Sequence, residues 1–157
     1  MPDILIGVHA ALGELAILAS LWVFVELLNP SQERVKRAKI GAIAIVVFLF
    51  ASWVAGGTYY VNTYGPSVKP IIKAGPQPWA HAIFTETKEH VFLFLPFMSI
   101  LLLAIISRYG AAMLKDRSMQ YAALALSLAI FLIALSMVGM GYVISTGVRA
   151  GLEAGAV

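Results

Sequence analysis

The chain has 157 residues, 61% of them apolar and 12% charged, with mean hydropathy +0.88. That excludes an ordinary soluble domain, in which about half the residues are apolar and about a quarter charged. The absence of cysteine excludes disulfides, iron–sulfur clusters and thiolate zinc sites, and the net charge of +3 does not point to nucleic acid, because the basic residues lie in gaps between apolar segments rather than on one solvated face.

Uninterrupted apolar runs occur in chain order at 4–28, 40–61, 91–106 and 121–148. Each is near or above the roughly 20 residues that cross about 30 Å of hydrocarbon. The third is short, so its helix is extended to 85–108, leaving polar side chains in the interfacial layer, and Pro96 should kink it. The prediction is an all-α fold: one integral membrane domain over 1–157, an up-down four-helix bundle with spans at 4–28, 40–61, 85–108 and 121–148.

Between the second and third spans, 62–84 contains NTYGPSVKPIIKAGPQPWAH, with four of the seven prolines. Gly65-Pro66 and Gly75-Pro76 read as turns, and Tyr59, Tyr60, Tyr64 and Trp79 as an interfacial belt. The segment is predicted to be a Pro/Gly-rich cap on the outer surface. Two short loops on the opposite side hold Arg34, Lys36, Arg37, Lys39, Arg108, Lys115 and Arg117. On the cap side Lys69, Lys73, Lys88 and Arg149 are balanced by Asp3, Glu86, Glu89 and Glu153. The positive-inside rule therefore places both termini outside a cytoplasmic (inner) membrane. The first helix lacks a basic n-region and a small-residue cleavage site, so it should be retained.

All three histidines fall on the outer side: His9, His81 and His90. Counting from the middle of each span puts His9 about 10 Å and His90 about 13 Å outward of the bilayer centre. In an up-down bundle the first and third helices are diagonal, so the two imidazoles are expected to face each other. Gly56 and Gly57 in the second span and Gly139 and Gly141 in the fourth lie about 9 to 12 Å outward, in the same slab. Opposed imidazoles flanked by helices without side chains suit a flat macrocycle, haem b. Iron held by two imidazoles moves electrons rather than activating oxygen, and Lys69, Lys73 or Arg149 are placed to meet the propionates. The plainer reading takes the glycines as helix-packing residues and the histidines as groups bonded to water or backbone, and His81 is read as a cap histidine in contact with water.

Glu14 lies near the middle of the first span, where a charge is costly, so it should be protonated or paired. It is five residues from His9, about 140° around the helix, and is predicted to face elsewhere. Its roles are a proton relay or quinone contact, or a neutral carboxyl bridging helices. Glu26, near the inner boundary, is assigned no role. Glu86 and His90 are four apart and, with His9 or His81, form an alternative outer site for zinc, copper or non-haem iron. Trp53, the phenylalanines of 92–97 and the methionines read as lipid-facing or core residues.

In architecture the chain resembles the small four-helix membrane cytochromes b and the haem-bearing membrane anchors of quinone-linked oxidoreductases, a likeness resting on His9, His90 and the glycine slab. The resemblance implies b haem, quinone and electron transfer, with quinol or a periplasmic carrier as redox partner. Many such proteins carry a second haem toward the inner side; here no histidine lies there, so a single outer haem, a partner redox subunit or a homo-oligomer is expected. Two other functions stay open: a His/Glu metal-binding membrane protein or enzyme, and a cofactor-free accessory subunit or transporter. No nucleophile–base pair, phosphate loop or nucleotide motif is present.

Overall fold

The computed structural model describes residues 4–156; Asp3, counted above among the outer acids, lies outside them. The described chain is helical, with four helices long and apolar enough to cross a membrane. Their outward faces carry Phe94, Phe97, Val54 and Leu132, each more than half exposed, a surface suited to lipid rather than water.

Helix α1 (Ile4–Leu28) has the predicted bounds. Helix α2 (Gln32–Tyr59) starts at Ser31, whose side chain accepts from the Arg34 N–H. It then runs without interruption through a π-helical stretch (Tyr60–Val68) into α3 (Lys69–Ala74), 43 residues in all. The third helix comprises a π-helical turn (Ala80–Thr85), α4 (Glu86–Phe92) and α5 (Phe94–Tyr109), and α6 (Arg117–Glu153) is the fourth. A 43-residue helix is about 64 Å long, twice the hydrocarbon thickness, so the helices overshoot at the outer end, the end where α1 begins.

The predicted cap is thus largely helical. Pro66 lies inside the π-helical stretch, where Lys69 N–H reaches back five residues to the Tyr64 carbonyl; this wider winding accommodates a residue that has no N–H and crowds the carbonyl four back. Pro70 sits in the first turn of α3, where a missing N–H costs nothing. Only Gly75-Pro76 is a turn, Gly75 being held extended at ψ −176°, as expected of a residue preceding proline. At Pro96, where a kink is expected, the α-helical pattern is broken at Leu93, one turn before the proline that cannot donate to the Phe92 carbonyl.

Helix α1 packs along α2 and α6, and α5 packs along the same two, which leaves α1 and α5 across the bundle from each other. The main core runs through Val23, Leu27, Ile45, Leu49, Leu102 and Ile130. Near the inner end Glu26 is the hub of an ion cluster, contacting Arg34 Nε at 3.0 Å and Arg37 Nε at 2.7 Å and accepting from Trp22 Nε1. This corrects the reading that Glu26 has no special role: it ties the α1–α2 turn and compensates two arginines at the membrane boundary.

A second small core of Tyr64, Ile72 and Ala80 occupies the outer end. Within it Tyr64 Oη bonds His81 Nδ1 at 3.0 Å and Thr85 Oγ1 at 2.8 Å. His81 is 3% exposed, so it is a buried structural histidine and not a water-facing one. The overshooting segments lock onto α6 through glycines: a Cβ on Gly151 would come within 2.6 Å of the Ile71 carbonyl oxygen, and one on Gly147 within 2.7 Å of Ala80 Cβ. Gly147 and Gly151 form a small-xxx-small spacing that lets backbones approach. Gly151→Val is therefore expected to cost about 1 to 3 kcal/mol through overpacking, read as a lowered unfolding temperature in detergent; an unchanged temperature would show that this contact is dispensable.

Candidate functional site

His9 of α1 faces Ser52 of α2. Its Nδ1 lies 2.9 Å from both the Ser52 carbonyl oxygen and Oγ, while Ser52 Oγ donates to the His9 carbonyl at 3.0 Å. A carbonyl oxygen only accepts, so Nδ1 carries the proton and Nε2 is left as a lone pair with no partner among the described residues. The ring rests in the notch left by Gly56, where a Cβ would lie 2.6 Å from Nδ1, and the edge of Phe92 meets it at 6.3 Å between centroids. A backbone-anchored Nδ1–H with Nε2 free is the arrangement that orients a metal-ligating imidazole.

Two cavities adjoin His9. The larger, about 660 Å³, is bordered by Gly56, Gly57, Tyr60, Lys88, Gly141 and Arg149 among others, and the smaller, about 290 Å³, by Glu14, Ser52, Leu95 and Val138 among others. Ile6, His9, Lys88, Phe92 and Gly141 border both. Gly57 has nothing within 4 Å of where a Cβ would be, and at Gly141 the nearest atom is Lys88 Nζ at 3.5 Å; the missing side chains are cavity space. Lys88 and Arg149 have no ion-pair partner among the described residues, while Glu89 on the same rim lies beside the Tyr60 hydroxyl. The rest of the lining is mostly apolar, with Thr85, Ser145 and three tyrosines among it, so the larger cavity is bordered by the His9 ring, two cations and the Glu89 carboxylate.

The structure does not bring His90 to His9. His90 is exposed, its Nδ1 donates to the Glu86 carbonyl oxygen of its own helix at 2.6 Å, and it borders neither cavity. The position opposite His9 is taken by Lys88 and Phe92. Glu86 turns its carboxylate toward His81 Nε2, 3.9 Å away, not toward His90, and among the described residues no three His, Asp or Glu side chains gather as metal ligands. Gly139 is exposed and borders neither cavity, so only Gly56, Gly57 and Gly141 of the four glycines belong to the site. Of the three cations expected near the propionates, Arg149 reaches the cavity and Lys69 and Lys73 do not. Glu14 and His9, expected on different faces, border one cavity because they flank the Ala10, Gly13 and Ile17 stripe that forms its wall.

Sequence reasoning passes over Ser52 and takes Phe92 only as a lipid-facing or core residue. Lys88 was counted only as an outer basic residue, yet Lys88, Phe92, Leu95, Ser99, Leu102 and Ile106 recur at helical spacing, and the last four are buried. That stripe marks the inward face of the third helix, two residues away from His90. None of the known protein families, curated proteins or solved structures matches the chain.

Proposed function

We propose that this chain is an integral membrane electron-transfer protein of the cytoplasmic membrane, an up-down bundle with both termini outside. It holds one b-type haem in the larger outer cavity, with His9 as its protein ligand. The observation that carries the reading is the His9 imidazole, fixed through Nδ1 on the Ser52 carbonyl with Nε2 free, beside a glycine-floored cavity of about 660 Å³. Haem would supply a one-electron centre; with His90 turned away the chain supplies one nitrogen to hold it rather than the two expected, mostly apolar walls, and Lys88 and Arg149 as partners for two propionates. The inner half has no histidine, so electrons would enter and leave on the outer side, or pass to a partner redox subunit or a second copy.

The reading predicts a coloured protein. Purified from haem-replete cells, it should show a Soret band that shifts on reduction, His9→Ala should abolish that band, and His90→Ala should retain it. A colourless wild-type preparation, or a band that survives His9→Ala, sinks the proposal.

A further inference from the structure

Besides holding the outer end together, the Tyr64, Thr85 and His81 side chains join the larger cavity to the protein surface. Tyr64 and Thr85 border that cavity, and both are buried, as is His81. Tyr64 Oη lies 3.0 Å from His81 Nδ1 and 2.8 Å from Thr85 Oγ1, Thr85 Oγ1 lies 3.3 Å from the Ala80 carbonyl oxygen, and His81 Nε2 lies 3.9 Å from Glu86 Oε1. The Glu86 side chain is 57% exposed, so a row of protonatable groups that starts at the cavity ends in water. The three buried members sit on π-helical stretches, Tyr64 in Tyr60–Val68 and His81 and Thr85 in Ala80–Thr85, a winding frequent at functional sites.

The hydrogen bonds of this row close in two directions. With neutral His81, Thr85 donates to Tyr64, Tyr64 donates to Nδ1, and Nε2–H faces the Glu86 carboxylate. With one more proton on the ring, Nδ1–H donates to Tyr64, Tyr64 donates to Thr85, and Thr85 donates to the Ala80 carbonyl, while Nε2–H still faces Glu86. The two arrangements differ by one proton and the turning of two hydroxyls, and in each every one of these N–H and O–H groups points at an acceptor. A network that only fixed the helices would need one of them.

We infer that Tyr64, His81 and Glu86 form a relay through which protons exchange between the larger cavity and outer water. A proton arriving from the cavity is taken by Tyr64 Oη as its own O–H proton passes to His81 Nδ1. The imidazolium then gives its Nε2 proton to the Glu86 carboxylate, which releases it to water. One proton leaves for each that enters, no electron moves, and a passage in the opposite direction restores the starting arrangement. Lys69 and Lys73 of α3 and Glu86 and Glu89 of α4 act on the ring, so a proton in transit meets charges of both signs. The relay goes beyond the function proposed above and requires no haem.

The test is the exchange rate of the Tyr64 hydroxyl proton in purified full-length protein. With tyrosine isotopically labelled at Cζ and an equal mixture of light and heavy water, the Cζ resonance is split when the hydroxyl exchanges slowly and merged when it exchanges fast; Tyr64→Phe assigns the resonance. Although Tyr64 is buried, its line should be merged in the wild type. His81→Gln keeps a hydrogen-bonding group beside Tyr64 but has no nitrogen that takes up a proton, so exchange should slow about a hundredfold and the line should split. Glu86→Gln changes only an exposed side chain, leaves the fold intact, and should slow exchange about tenfold or more. A line already split in the wild type, or still merged in His81→Gln, overturns the relay. A line split in His81→Gln but merged in Glu86→Gln overturns the part of Glu86. If His81→Gln does not fold, Glu86→Gln decides alone, and a merged line there overturns the relay. No electron transfer enters the measurement, so a colourless preparation overturns the haem and leaves this result standing.

Discussion

Gly57→Leu, and equally Gly141→Leu, should keep the proposed haem out of the larger cavity while the bundle stays folded. Both glycines border that cavity, and a Cβ at Gly57 meets no protein atom within 4 Å, while at Gly141 it makes only an ordinary contact with Lys88 Nζ at 3.5 Å. A leucine therefore takes its volume from the cavity and not from the packing of the helices. Replacing a glycine within a helix also removes its propensity penalty of about 1 kcal/mol relative to the best helix formers, so the unfolding temperature should hold or rise. Crowding a ligand by that much costs about 1 to 3 kcal/mol, which lowers affinity about 5- to 150-fold. The measurement is Soret absorbance per mole of protein beside thermal unfolding of the same sample. Gly139→Leu is the matched control: Gly139 lies on the same helix but borders neither cavity, and its replacement should leave colour and stability unchanged. Full colour in both Gly57→Leu and Gly141→Leu would place the cofactor elsewhere.

The contrast between Gly139 and Gly141 shows what the chain discloses before it is folded. Hydropathy locates the spans because lipid imposes a length on every apolar run, and α1 has the expected bounds. Counting residues along a span gives height, and of the residues grouped that way Gly56, Gly57 and Gly141 border one cavity with His9. Height leaves the direction around the helix open. His90 is two residues from Lys88, about 200° of rotation, so once the buried stripe through Leu95, Ser99 and Leu102 turns Lys88 inward, His90 must point out. The same distinction explains Glu14: its 140° separation from His9 was counted correctly, but a cavity walled by the residues between them reaches both. The turn expected at Gly65-Pro66 is absent for a different reason. A Gly-Pro pair reads as a turn, whereas Pro66 is absorbed by π-helical winding and Pro70 sits in a first turn, positions where the missing N–H is tolerated.

One residue before Gly57 the outcome should be equally large but reached by another route. A methyl group at Gly56 would lie 2.6 Å from His9 Nδ1, 2.9 Å from Cε1 and 3.2 Å from Cγ, closer than side chains pack, so in Gly56→Ala the imidazole has to move. Moving it breaks the 2.9 Å bond from Nδ1–H to the Ser52 carbonyl oxygen, the contact that fixes the tautomer and aims Nε2. Loss of such an orienting bond typically weakens metal binding about 10- to 100-fold, so Gly56→Ala should lose most of its haem although His9 is intact and the cavity keeps nearly all its volume. Ser52→Ala separates orientation from crowding. It deletes Oγ but keeps the carbonyl that accepts from Nδ1, so its loss of haem should be the smaller of the two. If Gly56→Ala binds haem as wild type does while Ser52→Ala does not, the hydroxyl rather than the carbonyl orients His9, and the tautomer assigned to the imidazole is reversed.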